Sequence, residues 1–472
     1  MKRLLTGILV LVCPLYSQAQ VSFGPVYEEV ISSRVLDYEA MPMAEHGVLL
    51  LQQQMETKGT HPLTLKLLDI DLNLRWKKTL NLEEPLGKYY QYADGFVHLL
   101  LDKPAPDTWQ LLRIDTQTGE VMTYEAFELA DFELSNYQVI ENTLILSGIY
   151  QERPAVFTYN YQYDGLNALP NVFQDEAELS EIKVNNDGLT FNVLVSVLDE
   201  KNDRTLSVNT YDHEGNAIRN YTLEVKPNYQ LKSGQVSSIN DIAQTVIGTY
   251  TVDQREGISG IYVNHIDRTG RQSMTYHNLS ELPYFLDFMN KRKAEELKQR
   301  AALMKRTGKE KKYRFSLYPR RMEERDGKLI TTWSCFERQA FKSHIYTLVL
   351  DEQGHLEWGE MMTSNETEGL WVAWRSKYQW LKSGKAARIA YHQKKLYTKL
   401  LDGSGKNIAQ TATLPLSTDR DELRFEESGK QRVVVWGEQH FMVYGLKHVR
   451  PKDKSQRVRH VFYINKLSVE DY

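Results

Sequence analysis

The chain has 472 residues, a net charge of −4, 41% hydrophobic residues and 25% charged ones, a balance that excludes large-scale disorder. The length suggests two or three domains unless small units repeat and close into one body. A content of 28 Tyr and 8 Trp favours strands over helices.

The N-terminus reads as an export signal. Lys2 and Arg3 are its positive start, Leu4 to Val12 its apolar core, and Ser17-Gln18-Ala19 supplies small residues for a cut after Ala19. Residues 1–19 are thus expected to leave a single domain over 20–472. Cys13 opens a lipoprotein alternative, but Val12 stands where a lipobox wants Gly or Ala, so the plain signal is preferred. The expected location is the periplasm or the cell exterior, with outer-membrane association as a variant. No later stretch reaches the length of a transmembrane helix. After cleavage only Cys335 remains, inside the apolar run Leu329 to Phe336, which predicts a small core residue and no internal disulfide.

Val21 to Ser33 reads as a lone first strand, and repeats then begin. Each has an apolar strand, a second apolar strand, a polar turn opened by Asp, and a shorter strand. Gly47 to Leu51, Leu63 to Ile70 and the Asp69 turn form the first unit; Gly95 to Leu101, Trp109 to Ile114 and Asp115 to Gly119 form the second. Later units turn at Asp164, Asp212, Asp267, Asp351 and Asp402, and an eighth has Arg432 to Tyr444 followed by Val458 to Leu467. Asp followed by polar residues and Gly between alternating strands is a hairpin turn. A fourth strand per unit is fainter: Val35 to Met43, Tyr89 to Ala93 and Arg314 to Arg321 are examples.

The Asp-to-Asp steps are 46, 49, 48 and 55 from Asp69 to Asp267, and 51 from Asp351 to Asp402. A period near 50 with about four short strands per unit predicts an all-β fold, a β-propeller of eight four-stranded blades, with seven as the alternative. The last unit lacks a final strand and the chain starts with a spare one. Pairing the two closes the ring and removes exposed edges.

The units resemble those of quinoprotein-type propellers, in which Asp-x-x-x-Gly is followed by a docking Trp. Asp115 to Gly119 fits the first half with Thr118 in place, but Thr123 stands where the Trp belongs. Trp76 and Trp358 fall seven residues after Asp69 and Asp351, one short of that spacing, and Arg219, Met274 and Ala409 occupy the same offset elsewhere. The resemblance implies the fold and does not extend to quinone chemistry.

Two basic stretches break the period. Over 281–325 there are 14 Lys and Arg against 7 Asp and Glu. Within 279–315, placed between blades 5 and 6, Ser280 is an N-cap candidate. Leu282, Phe285, Leu286, Met289, Leu297, Ala301 and Met304 recur at helical spacing, predicting one long helix of about six or seven turns ending near Gly308. Lys291, Arg292, Lys305, Arg306, Lys311 and Lys312 are its candidate binding residues. The second stretch, Lys447 to Arg459, contributes Arg450, Lys452 and Arg457. A third long connection, Thr363 to Tyr378, carries Trp371 and Trp374 as candidate stacking residues. Antiparallel blades put connections between blades, and hairpins between each blade's second and third strands, on one face, so all three stretches share it.

No nucleophile-elbow, zincin or Walker motif occurs, the 12 His show no ligand spacing, and no cofactor or metal is expected. The preferred reading is a non-catalytic exported propeller, a binding or scaffold module for a cell-envelope protein or an anionic or glycan polymer. Nucleic acid is not expected, because the chain reads as exported and carries no such motif. The alternative is a glycan-active enzyme whose carboxylates converge from different blades on the central channel.

Overall fold

The computed structural model describes residues 21–469 except 33–34, 57–58, 87–89, 104, 106, 126, 199–203, 240–242, 253–256, 326, 338–341, 352, 364–375, 382–384, 393–394, 403–406, 414–420, 427–430, 452–454 and 456. Residues 1–19, read from the sequence as an export signal, and Trp371, Trp374 and Lys452 therefore lie outside the described residues.

Eight antiparallel sheets follow one another along the chain. Their innermost strands are Val35–Pro42, Tyr90–Ala93, Phe132–Ile140, Glu178–Val184, Tyr229–Val236, Phe315–Arg325, Ser376–Trp380 and, in the eighth, Asp421–Glu426 with Arg432–Trp436. The first strand, Val21–Val30, pairs with Arg459–Val469 as the outermost strand of blade 8. It is the closure read from the spare strand. One boundary differs from the sequence reading: the run Arg432 to Tyr444 is broken at Gly437, whose φ of +66° turns the chain between the inner strand and His440–Pro451.

Between each pair of neighbouring blades lies an apolar cluster, and the eight clusters close the ring. Leu49, Leu65 and Val97 join blades 1 and 2, and Trp109, Phe132 and Tyr159 join blades 2 and 3. Val193, Phe191 and Val156 follow, then Val208, Val246 and Tyr262. Val263, Trp333 and Tyr346 join blades 5 and 6, and Val349, Trp358 and Ala386 join blades 6 and 7. Ile389, Phe441 and Tyr463 come next, and Leu50, Tyr444 and Phe462 return to blade 1, where Tyr38 stacks on Phe462 at 4.5 Å. Second strands such as Val48–Gln54 are buried along almost their whole length because both faces meet a neighbour, whereas the outer strand Leu74–Leu82 is mostly exposed.

The Asp turns lock this arrangement. Asp115 Oδ1 accepts from the backbone N–H groups of Gln117 and Thr118, both at 2.8 Å. The Thr118 bond leads in holding its carboxyl below the usual range, against the opposing effect of burial and with help from the Gln117 bond. Trp76, on the outer strand of blade 1, donates its indole N–H to Thr116 O at 3.0 Å and packs against Gly119, where a Cβ would stand 3.1 Å from the ring. A turn in one blade thus seats the outer strand of the preceding one.

The interruption between blades 5 and 6 is shorter in helix than its spacing predicts. The helix α1 spans Lys291–Arg306, 16 residues, and its N-cap is Asn290, whose side chain accepts from Lys293 N–H. Ser280 is not the cap. Leu282, Phe285 and Leu286 instead leave the helical path in turns and are buried in the blade 5–6 cluster, with Pro283 O accepting from Tyr346 Oη at 2.9 Å. Their apolar spacing serves anchoring, which periodicity alone does not separate from helix. Cys335 is fully buried in the same cluster. Among the described residues no helix is long and apolar enough to cross a membrane.

Candidate functional site

Among the described residues, two of the concave regions each gather several charged side chains. The first lies between α1 and the outer strand of blade 5, a cleft of about 740 Å³. Lys226, Lys298, Lys305, Arg306, Lys309 and Lys311 line it, against two carboxylates, Glu281 and Glu310. Glu310 accepts from Tyr229 Oη at 2.5 Å and Tyr250 Oη at 2.6 Å. Tyr229, Tyr250 and Tyr276 pack together with ring centroids 4.6–5.3 Å apart, and Lys226 Nζ sits 5.5 Å and 5.7 Å from the rings of Tyr229 and Tyr276. Lys305 pairs with Glu281, and that hydrogen bond pushes its pKa up. The cleft therefore has an aromatic floor, fixed carboxylates and a surplus of mostly exposed cations.

Of the residues singled out from sequence, Lys305, Arg306 and Lys311 line this cleft. Lys291 and Arg292 are exposed at the start of α1, away from its lining. Lys312 is half-buried and near enough to Lys232 to help lower that group's pKa, after burial and Arg204. Arg457 is exposed in the hairpin of blade 8, and Arg450 lies on the strand His440–Pro451 with its backbone opposite Glu422. Arg457 does not line the cleft. Lys226, Tyr229, Tyr276 and Glu310 escape a sequence reading because their meeting depends on how α1 folds back over blade 5.

The second region is on the propeller axis, a pocket of about 540 Å³ lined by the inner strands of blades 2 to 6. In six blades the pairing of the inner strand skips one residue: between Val35 and Asp37, Leu134 and Asn136, Leu179 and Glu181, Leu231 and Ser233, Pro319 and Arg321, and Leu423 and Phe425. Such a bulge re-aims the side chains beside it. Asn136, Glu181 and Arg321, each directly after a bulge, line the pocket.

Glu181 Oε2 accepts from Val236 N–H at 2.7 Å. Burial pushes its pKa up to about 7, with Glu324 adding to the rise and Val236 N–H, Lys183 and Gln235 opposing it. Lys183 Nζ meets Glu324 Oε1 at 2.6 Å, and Ser238 N–H donates to the same oxygen at 2.5 Å. Arg321 pairs with Glu323 at 2.8 Å, and Arg320 Nε donates to Ser334 Oγ at 2.7 Å. Further round the axis, Arg432 Nη1 contacts both oxygens of Glu39 at 2.7 Å. Burial lowers the Lys377 pKa, Arg321 and Arg432 add to the fall, and Glu323 opposes it. Among the described residues no group of three or more His, Cys, Asp or Glu is gathered to hold a metal.

No family model matches the chain, and no curated protein matches it. Solved structures do. A crystal structure of polysaccharide lyase Uly1 is similar at 12% identity, covering 83% of this chain and 91% of that one, with a TM-score of 0.41. The β-propeller domain of the Trilobed protease from Pyrococcus furiosus is similar at 9% identity, over 81% and 97%, with a TM-score of 0.37. The Dos1 propeller is similar at 8% identity, over 96% and 92%, with a TM-score of 0.36. These loose overlaps bear on no residue of either region.

Proposed function

We propose that this chain is an exported, non-catalytic binding module that holds an anionic partner of the cell envelope, an acidic polymer or an acidic protein surface, in the cleft under α1. The observation that carries this reading is the composition of the cleft: six cations against two carboxylates already engaged by Tyr229, Tyr250 and Lys305. Such a surplus in a concave site attracts a polyanion. Support comes from α1 itself. Lys291, Arg292 and Lys293 stand at its N-terminal end and no acidic residue occupies its first turn, which opposes the helix dipole. Cations placed against helix stability suit a segment retained for its charge.

The test is Lys298→Glu/Arg306→Glu/Lys309→Glu, three exposed cleft cations, assayed for binding to polygalacturonate and to dextran sulfate. Binding is expected to weaken more than about tenfold, equivalent to about 1.4 kcal/mol, with the melting temperature unchanged. Undiminished binding to both polymers by the folded variant would overturn the reading.

A further inference from the structure

We infer that the axial pocket is a second ligand site, and that it takes an uncharged carbohydrate unit, held by polar groups on the inner strands of blades 2, 4, 5 and 6. The inference is independent of the cleft under α1.

Three observations lead there. The first is an unmet hydrogen-bonding demand. Gln235 is 5% exposed, lines the pocket, and its Oε1 accepts no hydrogen bond among the described residues; Gln91, half-buried on the same lining, also has an Oε1 that accepts none among them. A buried acceptor without a donor is costly, and native structures rarely leave one without a purpose. Two such acceptors, on different blades and on one pocket lining, can be met together by a ligand with several donors.

The second observation is charge balance. Lys183 is engaged by Glu324 and Arg321 by Glu323, so those four charges are paired within the protein. Glu181 and Arg320 remain: Arg320 donates to Ser334 Oγ, and Glu181 is held by Val236 N–H, with an elevated pKa that makes its neutral form available near neutrality. A strongly anionic ligand would meet Glu181 and Glu324, and a cationic one would meet Lys183, Arg320 and Arg321. Hydroxyl groups, which both donate and accept, match an amide carbonyl, a carboxyl and a guanidinium at once.

The third is position and size. About 540 Å³ falls within the range of small-molecule sites, roughly 300–1,000 Å³. The lining comes from inner strands whose bulges precede Asn136, Glu181 and Arg321, so the scaffold itself departs from regular pairing at this level. Tyr90, half-buried on the lining, supplies aromatic surface beside the polar groups.

The experiment is calorimetric titration of the full mature chain with cellotetraose, xylotetraose and chitotetraose, with tetragalacturonate and a chitosan tetramer as charged comparators. At least one neutral oligosaccharide is expected to bind, with affinity reduced about tenfold or more in Gln235→Leu and in Glu181→Gln, the scale expected when a buried polar partner is removed. Gln91→Ala, in the short inner strand of blade 2, is the second variant should Gln235→Leu fail to fold. Polygalacturonate binding at the cleft is expected to persist in all three, which separates failure of this inference from failure of the proposed function. Slow cleavage of a bound oligosaccharide, lost in Glu181→Gln, would support the site and extend it to catalysis. The inference is overturned if no neutral oligosaccharide binds, if a charged comparator binds in preference, or if folded Gln235→Leu and Glu181→Gln bind as the unmodified chain does.

Discussion

The cleft under α1 and the axial pocket handle charge in opposite ways. In the cleft, cations are mostly exposed and outnumber their partners, and the helix that carries three of them is an addition to the ring. On the axis, Lys183 and Glu324 are drawn in and matched, on strands the ring cannot do without. An exposed charge is screened and contributes little to stability, whereas a buried one binds its partner into the fold. Replacing an exposed cleft cation is therefore expected to cost little stability, whereas breaking a buried axial pair is expected to cost much more.

Glu324→Ala is expected to produce the largest effect. It strands the largely buried Lys183 and removes the acceptor of Ser238 N–H, for a loss of about 3 kcal/mol in urea unfolding. A loss below about 0.5 kcal/mol, the usual range for surface changes, would erase the contrast between the sites. Next is Glu181→Gln. The folded-state pKa, about 7, lies above the ordinary 4.5, so between these values the folded chain holds more protons than the unfolded one. Stability therefore falls as pH rises through that window, and glutamine removes the penalty. The variant is expected to be about 2 kcal/mol more stable than the unmodified chain at pH 8 and equal to it at pH 4. A gain that is the same at both pH values would contradict the buried-carboxyl account.

Smaller effects belong to the cleft. Tyr250→Phe removes one of the two phenols that hold Glu310 and is expected to cost about 1 kcal/mol. Thermal unfolding would show it, together with weaker polyanion binding as Glu310 loosens. Reversing Lys298, Arg306 and Lys309 is expected to change stability by less than about 0.5 kcal/mol, since all three are exposed. A large destabilisation there would make α1 a structural element of the ring.

The fold was legible because its signal is periodic. Asp turns about 50 residues apart, and a spare first strand, carry the architecture without any tertiary information. Insertion charges were equally visible, since Lys298 to Lys311 is contiguous. Helix length was not: Leu282, Phe285 and Leu286 have helical spacing yet serve as anchors between blades 5 and 6. The axial groups were beyond reach for another reason. Gln91, Asn136, Glu181, Gln235 and Arg321 lie on five strands, and none has a distinctive neighbourhood in sequence. Their convergence is created by ring closure and by bulges, which leave no compositional trace.

The most direct measurement is the affinity of polygalacturonate for the chain over residues 20–472 as salt is raised from about 0.05 M to about 0.5 M, a range over which the screening length shrinks from about 14 Å to about 4 Å. Binding at the α1 cleft predicts a steep fall for the unmodified chain and a weak, nearly flat dependence for Lys298→Glu/Arg306→Glu/Lys309→Glu. Affinity that is insensitive to salt, or an equally steep fall in the reversed variant, would contradict it.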